Sequence, residues 1–248
     1  GAYNGIRAYG LQSGRFSLPK AIECRDLKEM LDHAKSADLP DDFRIVLTGS
    51  GRVGQGALEV LKFMKLRGVH KDDFLRMDFP DPVFVHLEVD DYNERIDGQP
   101  FDYDEFVDDA TGYQSTFMPF GQRADLFIAG HFWADGSPFL FTREDMRNPA
   151  WSVKVVADIS CDIDGPVACT VRPSTIADPL YGYDPGTESE CALDHPDAIT
   201  VMAVDNLPCE LPRDASEGFG RELMEHVIPL LIAGDDDGIL RAASETTL

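Results

Sequence analysis

Three glycines at a fixed spacing carry the strongest chemical signal in the sequence. Gly49, Gly51 and Gly54 follow a strand-like run at 43–48 and precede a helical pattern of apolar residues. In a strand–turn–helix unit, the first glycine permits a tight turn, the second lets a pyrophosphate approach the backbone, and the third lets the helix pack closely on the strand. We therefore predict a dinucleotide-binding turn, with a glycine-rich turn that binds no ligand as the alternative.

An acidic residue at the end of the next strand normally binds the ribose hydroxyls of such a ligand. The run 74–77 is predicted to be that strand, so Asp78, which follows it, is predicted to bind the ribose. A carboxylate there repels a 2′-phosphate, which favours NAD, although Arg52 and Arg76 leave NADP open. The alternative is that Asp78 is a solvated residue of the turn at 78–82.

Three more residues follow predicted strands and are candidates for the site. Asp158 and Asp205 end strand-like runs, and ligands of open α/β sheets bind beyond the carboxyl ends of the strands. For each of them, a capping or turn aspartate is the alternative. His131 is a candidate general acid or base, with a packed loop histidine as the alternative. The sequence has no zinc-ligand spacing, Ser-His-Asp order or P-loop, so we predict no metal.

Strands that alternate with helices are needed to position these residues. Strands are predicted at 43–48, 74–77, 125–130, 153–158 and 199–204, with helices at 24–35, 57–66, 142–147 and from 214 onward. This alternation predicts an α/β fold, a Rossmann-type parallel sheet with helices on both faces. Residues 80–122, with a strand-like piece at 83–89 and an acidic stretch at 102–109, are predicted to be an insertion at the domain edge. We expect a long loop at 160–198.

This pattern divides the chain into three parts. Residues 1–40 are predicted to be a helical segment, residues 41–212 the dinucleotide-binding domain, and residues 213–248 a C-terminal helix and tail.

Composition excludes several classes of protein. The 248 residues include 45 acidic and 22 basic side chains, with a net charge of −23, and 43% are hydrophobic. Enough apolar material is present for a folded core, whereas the acidic excess repels nucleic acid and anionic membranes. No apolar run is long enough to span a bilayer. Five scattered cysteines and the lack of a signal peptide favour a reduced cytoplasmic protein.

Several strings resemble the saccharopine dehydrogenase (lysine-forming) family and its relatives, the lysine–2-oxoglutarate reductases and alanine dehydrogenase/transhydrogenase-like proteins. The most specific is AVDNLPCELPRDAS at 203–216. Others are GAYNGIRAYGL at 1–11, TGSGRVGQGA at 48–57, ADLFIAGHFW at 124–133 and VVADISCD at 155–162. The segment 80–122 matches least well.

The resemblance implies an NAD(P)-dependent oxidoreductase that transfers hydride at the C–N bond of an adduct between an amino acid and a 2-oxo acid. Lysine plus 2-oxoglutarate to saccharopine, or the reverse, is the reaction implied. Position by position, it implies a pyrophosphate contact for Arg52 and Val53 and a catalytic, acid–base-tuning role for Asp205. The remaining implied contacts are ribose at Asp78, the cofactor at Phe132 and Ala157, the nicotinamide side of the cofactor at Val204, Asp205, Asn206 and Leu207, and the amino-acid substrate at Asp158, Ile159 and Ser160.

One part of the family pattern has no counterpart in this sequence. Family members carry an N-terminal domain that supplies a lysine and a histidine as acid and base, so we expect this chain to need that missing domain or a partner chain. Residues 1–11 and the C-terminal helix are expected to pack against the missing domain. A homodimer is the other assembly that the sequence leaves open. The alternatives are a non-catalytic dinucleotide-binding module or split-enzyme subunit, and an alanine-dehydrogenase-like enzyme.

Overall fold

A mostly parallel sheet of eight strands organises the chain, of which the computed structural model describes residues 1–133, 136–235 and 238–243. The first six strands run parallel, and the last two are antiparallel to their neighbours. The spatial order of the sheet is Arg67–Gly68 (β2), Val83–Leu87 (β3), Arg44–Thr48 (β1), Leu126–Ala129 (β6), Val155–Asp158 (β7), Ile199–Met202 (β10), Leu180–Asp184 (β8) and Ser189–Cys191 (β9). Two further strands, Asn93–Arg95 (β4) and Tyr113–Ser115 (β5), form a separate antiparallel pair. The predicted α/β fold class is confirmed.

Helices cover both faces of this sheet. Those described are Ala2–Ser13 (α1), Leu27–Ala34 (α2), Arg52–Phe63 (α3), Lys71–Arg76 (α4), Tyr103–Asp108 (α5), Met118–Gly121 (α6), Arg143–Met146 (α7), Pro212–Glu222 (α8), Ile228–Ala233 (α9) and Ile239–Ala243 (α10). A π-helical stretch, Leu223–Val227, joins α8 to α9. Among the helices that the structure describes, none has both the length and the apolar composition that a bilayer crossing requires.

The core has two layers because side chains alternate across each buried strand. Ile45 and Leu47 face the layer formed with α1, α2 and α3, whereas Val46 faces the layer formed with α4, α6 and α7. Strand β1 is buried on both faces and reads as a continuous apolar run, which is typical of parallel sheets. The predicted strands at 43–48, 125–130, 153–158 and 199–204 therefore correspond to β1, β6, β7 and β10.

The predicted strand at 74–77 is wrong, since most of those residues lie in helix α4. Its first turn carries Asp72 and Asp73, which favour a helix N-terminus. At the other end, the buried guanidinium of Arg44 donates hydrogen bonds to the carbonyls of Phe74 and Met77, both at 2.9 Å. These caps stabilise a short helix where the local pattern of apolar residues favours a strand.

The piece 83–89 is also placed differently from the prediction. Its first five residues form β3, which pairs with β1 along its whole length, from Arg44 opposite Val83 to Thr48 opposite Leu87. The sheet therefore includes this strand, and the insertion begins only after Leu87. In the predicted long loop at 160–198, the structure has the strands β8 and β9, which extend the sheet.

Helix α1 belongs to the core of this sheet rather than to a separate segment. It packs on β6, β7 and β10, and Tyr3 and Ile6 are fully buried. A Cβ on Gly5 would lie 2.8 Å from the Cβ of Ala157, so glycine permits the close approach of helix and sheet. The expectation that residues 1–11 pack against another domain is therefore corrected.

The C-terminal helices contrast with α1, because α8 and α9 bury no residue. Helix α8 begins at Pro212, two residues before the predicted start, and the Asp214 carboxylate accepts a hydrogen bond from the Leu27 amide at 2.9 Å. Of the predicted C-terminal segment 213–248, residues 236–237 and 244–248 lie outside the described part of the chain.

Candidate functional site

The glycine turn lies where the parallel sheet changes direction of winding. Strand β1 has β3 on one side and β6 on the other, so the loops after β1 and β6 leave the sheet beside each other. The Gly130 amide, just after β6, donates to the Thr48 carbonyl at 3.1 Å, and the Gly49 amide donates to the Leu87 carbonyl at 3.1 Å. Such a crevice at the carboxyl edge is the usual ligand site of open α/β sheets.

At each of the three positions, a different steric feature explains why the residue is a glycine. Gly49 has φ +96°, and a Cβ on it would lie 2.3 Å from the Gly130 oxygen. A Cβ on Gly54 would lie 1.7 Å from the Gly49 oxygen, so this glycine lets α3 pack on the turn. Gly51 is the N-cap of α3, and a Cβ there would meet no protein atom within 4 Å. The space at Gly51 and the free N–H groups beyond it fit a pyrophosphate.

Two clefts open on either side of the α3 N-terminus. The first, of about 650 Å³, contains the glycine turn and the residues after β6, whereas the second, of about 500 Å³, lies between α3 and the segment after β10. Arg52, Val53 and Ile159 line both clefts, so the two adjoin each other at the helix end. An elongated ligand with an anionic centre matches this shape.

The second cleft brings together most of the segment predicted to face the nicotinamide. Val204, Asp205 and Leu207 line it, and Asp205 is exposed to solvent. Asn206 is also exposed and precedes the short helix Leu207–Glu210, without lining either cleft. The structure thus places an ionisable carboxylate, Asp205, at the end of the sheet beside the second cleft.

The first cleft brings together the predicted residues Ser160 and Phe132. The Ser160 hydroxyl donates to the His131 carbonyl at 2.9 Å, which ties the loop after β7 to the loop after β6. Phe132 is 91% exposed and lies on the cleft wall. An aromatic side chain that is left this exposed in a cleft offers a surface for ligand contact.

Asp158 and Ala157 are not brought to either cleft. Asp158 is fully buried, where its carboxylate accepts hydrogen bonds from the Thr170 hydroxyl at 2.6 Å and from the Cys161 amide at 3.1 Å. Burial raises the pKa of Asp158 to about 6, against the effect of these hydrogen bonds. The carboxylate therefore orders the loop after β7, and the Ala157 side chain faces α1. The resemblance-based expectation of ligand contacts is not met by these two side chains.

His131 is a buried residue at the floor of the first cleft. Its Nδ1 lies 2.7 Å from the Thr48 hydroxyl oxygen, and its Nε2 is buried without a hydrogen-bond partner among the described residues. Burial lowers the pKa of His131 to about 4, so the ring is neutral near neutral pH. A neutral ring that is held by Thr48 acts as a packed polar group rather than as a carrier of positive charge.

Asp78 lies at the opposite edge of the sheet from the glycine turn. It follows α4 and accepts hydrogen bonds from Arg44 and Arg123, at 3.0 and 2.9 Å, where β1 and β6 begin. A residue that binds the ribose must lie at the carboxyl edge of the sheet. Asp78 does not lie there, so the structural premise of that prediction is wrong. The physical reason is that residues 74–77 form α4 and not the strand beside β1.

Glu88 occupies the position that Asp78 was expected to hold. It is exposed and directly follows β3, whose last carbonyl accepts the hydrogen bond from Gly49. A strand pattern followed by an acid, VFVHL and then Glu88, was the available signal in the sequence. This signal was not used in the prediction, because residues 83–89 were assigned to the insertion.

Across residues 1–133, 136–235 and 238–243, no group of three or more His, Cys, Asp or Glu side chains is arranged to hold a metal ion.

Comparison with known proteins places the chain near two groups of enzymes, although no protein-family model matches it. It is 26% identical over 216 residues to the mitochondrial alpha-aminoadipic semialdehyde synthase of Mus musculus, covering 76% of this chain and 23% of that protein. It is 27% identical over 194 residues to the NAD(+), L-lysine-forming saccharopine dehydrogenase of Schizosaccharomyces pombe, covering 78% and 42%. The Neurospora crassa enzyme of the same name is 25% identical over 186 residues, covering 75% and 40%.

These similarities confirm the resemblance that the sequence motifs indicated. The alignments cover about three quarters of this chain but between 23% and 42% of the relatives' own lengths.

Proposed function

We propose that this relative of saccharopine dehydrogenases is the dinucleotide-binding part of an NAD-dependent oxidoreductase of lysine metabolism. The observation that carries the proposal is the glycine turn at the point where the sheet changes winding, with one cleft on each side of the α3 N-terminus. The relatives whose printed names include NAD(+) and lysine support the cofactor and the substrate class.

The chain's own residues bind and orient the cofactor in this proposal. The pyrophosphate lies at Gly51, where the backbone N–H groups at the start of α3 and the Arg52 side chain supply positive charge. Glu88 accepts hydrogen bonds from the ribose hydroxyls of the adenosine half. The nicotinamide half lies in the second cleft, beside Val204 and Leu207. When bound, the dinucleotide supplies or accepts the hydride.

The reaction proposed is hydride transfer at the C–N bond of an amino acid/2-oxo acid adduct, lysine plus 2-oxoglutarate to saccharopine or the reverse. Ile159 lines both clefts, and Ser160 lines the first beside it; the amino-acid part of the substrate is proposed to bind there and to face the nicotinamide. The exposed carboxylate of Asp205 is suited to tune the charge of an acid–base pair at that position.

The acid and base themselves are proposed to come from a segment or a partner chain beyond these 248 residues. Among the described cleft residues, His131 is buried with a lowered pKa, which leaves it poorly matched to proton transfer at neutral pH. The unburied C-terminal helices support such a partner, because Phe219, Met224, Leu231 and Ile232 are 64–82% exposed there. A second copy of the chain is the other partner that fits this surface.

The glycine turn and its two clefts also fit a second function, that of a dinucleotide-binding module that catalyses no reaction. An alanine-dehydrogenase-like enzyme that uses ammonia is a third possibility. We also propose a reducing, cytoplasmic location, which the five free cysteines support.

Calorimetry with NAD+ tests the binding site. In Gly51→Ala, the new methyl group meets no protein atom within 4 Å and φ is −71°, so the fold tolerates it while the pyrophosphate does not. We expect NAD+ to bind the wild-type chain and to bind Gly51→Ala about tenfold or more weakly, the loss of one charged hydrogen bond or more. Gly218→Ala, equally free of contacts at a position of helix α8 that lines neither cleft, is the matched control. Equal affinity in all three proteins, or no binding at all, would contradict the proposal.

Turnover separates the three functions. NADH oxidation is followed with lysine plus 2-oxoglutarate and with ammonia plus pyruvate, in the presence of the full-length protein or its partner chain. Activity with the first pair supports the saccharopine-type reaction, and activity with the second supports the alanine-dehydrogenase type. NAD binding without turnover of either pair supports the module.

A further inference from the structure

Helix α5 presents two exposed apolar residues to the first cleft. Tyr103 and Val107 are 63% and 61% exposed, and both line the cleft that contains the glycine turn. They are four residues apart, so they lie on the same face of the helix. The insertion therefore contributes an apolar surface to the cleft that contains the glycine turn, although three of the other four residues of this helix are acidic.

This surface is held in place by a small core of its own. Phe106, on the same helix, packs against Phe101 and Tyr113, with ring centroids 5.3 and 5.0 Å apart. The Asp102 side chain caps the helix at the Glu105 amide at 3.0 Å, and Arg95 forms an ion pair with Glu105. Phe106 thus fixes α5, whereas Tyr103 and Val107 have no comparable packing role and remain available to a ligand.

Other residues that line this cleft are also apolar. Phe132 is 91% exposed, and Val53 at the start of α3 is 47% exposed. Both line the cleft together with Val89, which directly follows Glu88. The lining of this cleft therefore offers both aromatic and aliphatic side chains to a planar ring.

The position of the cleft identifies which ring this is. The cleft extends from residues that follow β3, Val89 and Tyr92, to residues that follow β7, Ile159 and Asp162. The proposed ribose ligand Glu88 directly precedes Val89, so a ring at the β3 end of the cleft is the base attached to that ribose. We propose that Tyr103 and Val107 form the wall of an adenine-binding site, and that the acidic residues of α5 disfavour a phosphate on the adjacent ribose. The proposal rests on the proposed function, because it assigns a subsite to the same cofactor.

Charge supports the preference for an unphosphorylated ribose. Within and beside α5 lie five carboxylates, at Asp102, Asp104, Glu105, Asp108 and Asp109. Neutral adenine is not affected by this field, whereas a 2′-phosphate is repelled by it. The insertion then contributes both a contact surface and a discrimination between NAD and NADP.

Calorimetry with ADP-ribose, NAD+ and NADP+ tests this assignment. ADP-ribose contains the adenosine half without the nicotinamide, so it reports on this subsite alone. We expect Tyr103→Ala combined with Val107→Ser to weaken ADP-ribose and NAD+ about 5- to 100-fold, the range for loss of one stacked base. The single variant Tyr103→Phe, which keeps the aromatic ring, is expected to bind ADP-ribose and NAD+ with wild-type affinity. The matched control is Ile96→Ala, which is 61% exposed in the same insertion but does not line the cleft.

The outcomes distinguish this inference from the proposed function. If the wild-type chain binds ADP-ribose and NAD+ but the double variant binds them equally well, the inference is overturned and the function stands. If the wild-type chain binds neither molecule, both are overturned. Urea unfolding of each variant shows that the changes in affinity come from lost contacts, because exposed residues contribute little to stability. Equal affinity for NAD+ and NADP+ in the wild type would overturn the part that concerns the 2′-phosphate.

Discussion

Gly54 lies directly against the carbonyl oxygen of Gly49, with room for a hydrogen but not for a methyl group. A Cβ on Gly54 would be 1.7 Å from that oxygen. The glycine motif is therefore a packing requirement of the protein itself, before any ligand is considered, and α3 approaches the turn only because this side chain is absent.

Gly54→Ala is expected to destabilise the chain by about 3 kcal/mol, because the turn or the helix must move to make room. Gly56→Ala, two residues along the same helix, meets no atom within 4 Å. It is expected to stabilise the chain by about 0.5–1 kcal/mol, since alanine favours a helix more than glycine does. Urea unfolding measures both. Similar effects from the two variants would show that α3 does not depend on this contact.

The corrected position of the ribose acid is tested by a pair of neutralising substitutions. Glu88→Gln is expected to weaken NAD+ binding about tenfold and to narrow the preference for NAD+ over NADP+, because a charged hydrogen-bond acceptor is lost. Asp78→Asn is the control, since Asp78 lies with Arg44 and Arg123 at the other edge of the sheet. Calorimetry with both cofactors is the measurement, and a loss of affinity in Asp78→Asn alone would restore the original prediction.

Asp158 is expected to make stability fall as the pH rises. Burial raises its pKa from 3.8 to about 6, so the folded chain binds this proton more tightly than the unfolded chain. The stabilisation is fully present below 3.8 and is lost as the pH rises through about 6. The total change is on the order of 2–3 kcal/mol, from about 1.4 kcal/mol per unit of pKa shift.

Urea unfolding between acidic and neutral pH checks this expectation. The difference in unfolding free energy between the wild type and Asp158→Asn should decrease as the pH rises through this window. An exposed aspartate, Asp197, supplies the control, and Asp197→Asn should follow the wild-type profile. If Asp158→Asn also runs parallel to the wild type, the buried carboxylate is not the origin of the pH dependence.

His131 is expected to act in the opposite direction. Burial lowers its pKa from 6.5 to about 4, so the unfolded chain binds the proton more tightly. The stability that depends on the neutral ring is present above 6.5 and is lost as the pH falls through about 4. His131→Gln should therefore remove part of the acid destabilisation, whereas His195→Gln, at an exposed site, should not. Thermal unfolding at a series of acidic pH values measures this, and identical acid sensitivity in all three proteins would contradict it.

The alternation of buried strands and amphipathic helices is sufficient to predict the four central strands of the sheet, β1, β6, β7 and β10. Strands such as β1 and β6 are short apolar runs with clear boundaries, so their local sequence and their tertiary environment favour the same structure. The helix at Thr142 was also predictable, because its hydroxyl and Asp145 form a reciprocal cap that is visible in the sequence. Elements of this kind need little information from the rest of the chain.

The second strand of the motif was not predictable in the same way. Residues 74–77 have a strand-like composition but form α4, because Arg44, far away in sequence, binds the carbonyls at the end of that helix. Residues 83–87 were assigned to an insertion, although they pair with β1. Both errors come from long-range contacts, and together they moved the expected ribose acid from Glu88 to Asp78.

The sequence by itself determined the glycine turn, the parallel α/β class and the resemblance to saccharopine dehydrogenases, because these depend on residue type and local spacing. Only the tertiary structure decided which carboxylates reach the clefts. It buried Asp158 under Thr170, placed Asp78 at the wrong edge and left Asp205 exposed. The physical reason is that a strand end can point a side chain into the core or into solvent, and neighbouring strands and loops determine which of these occurs.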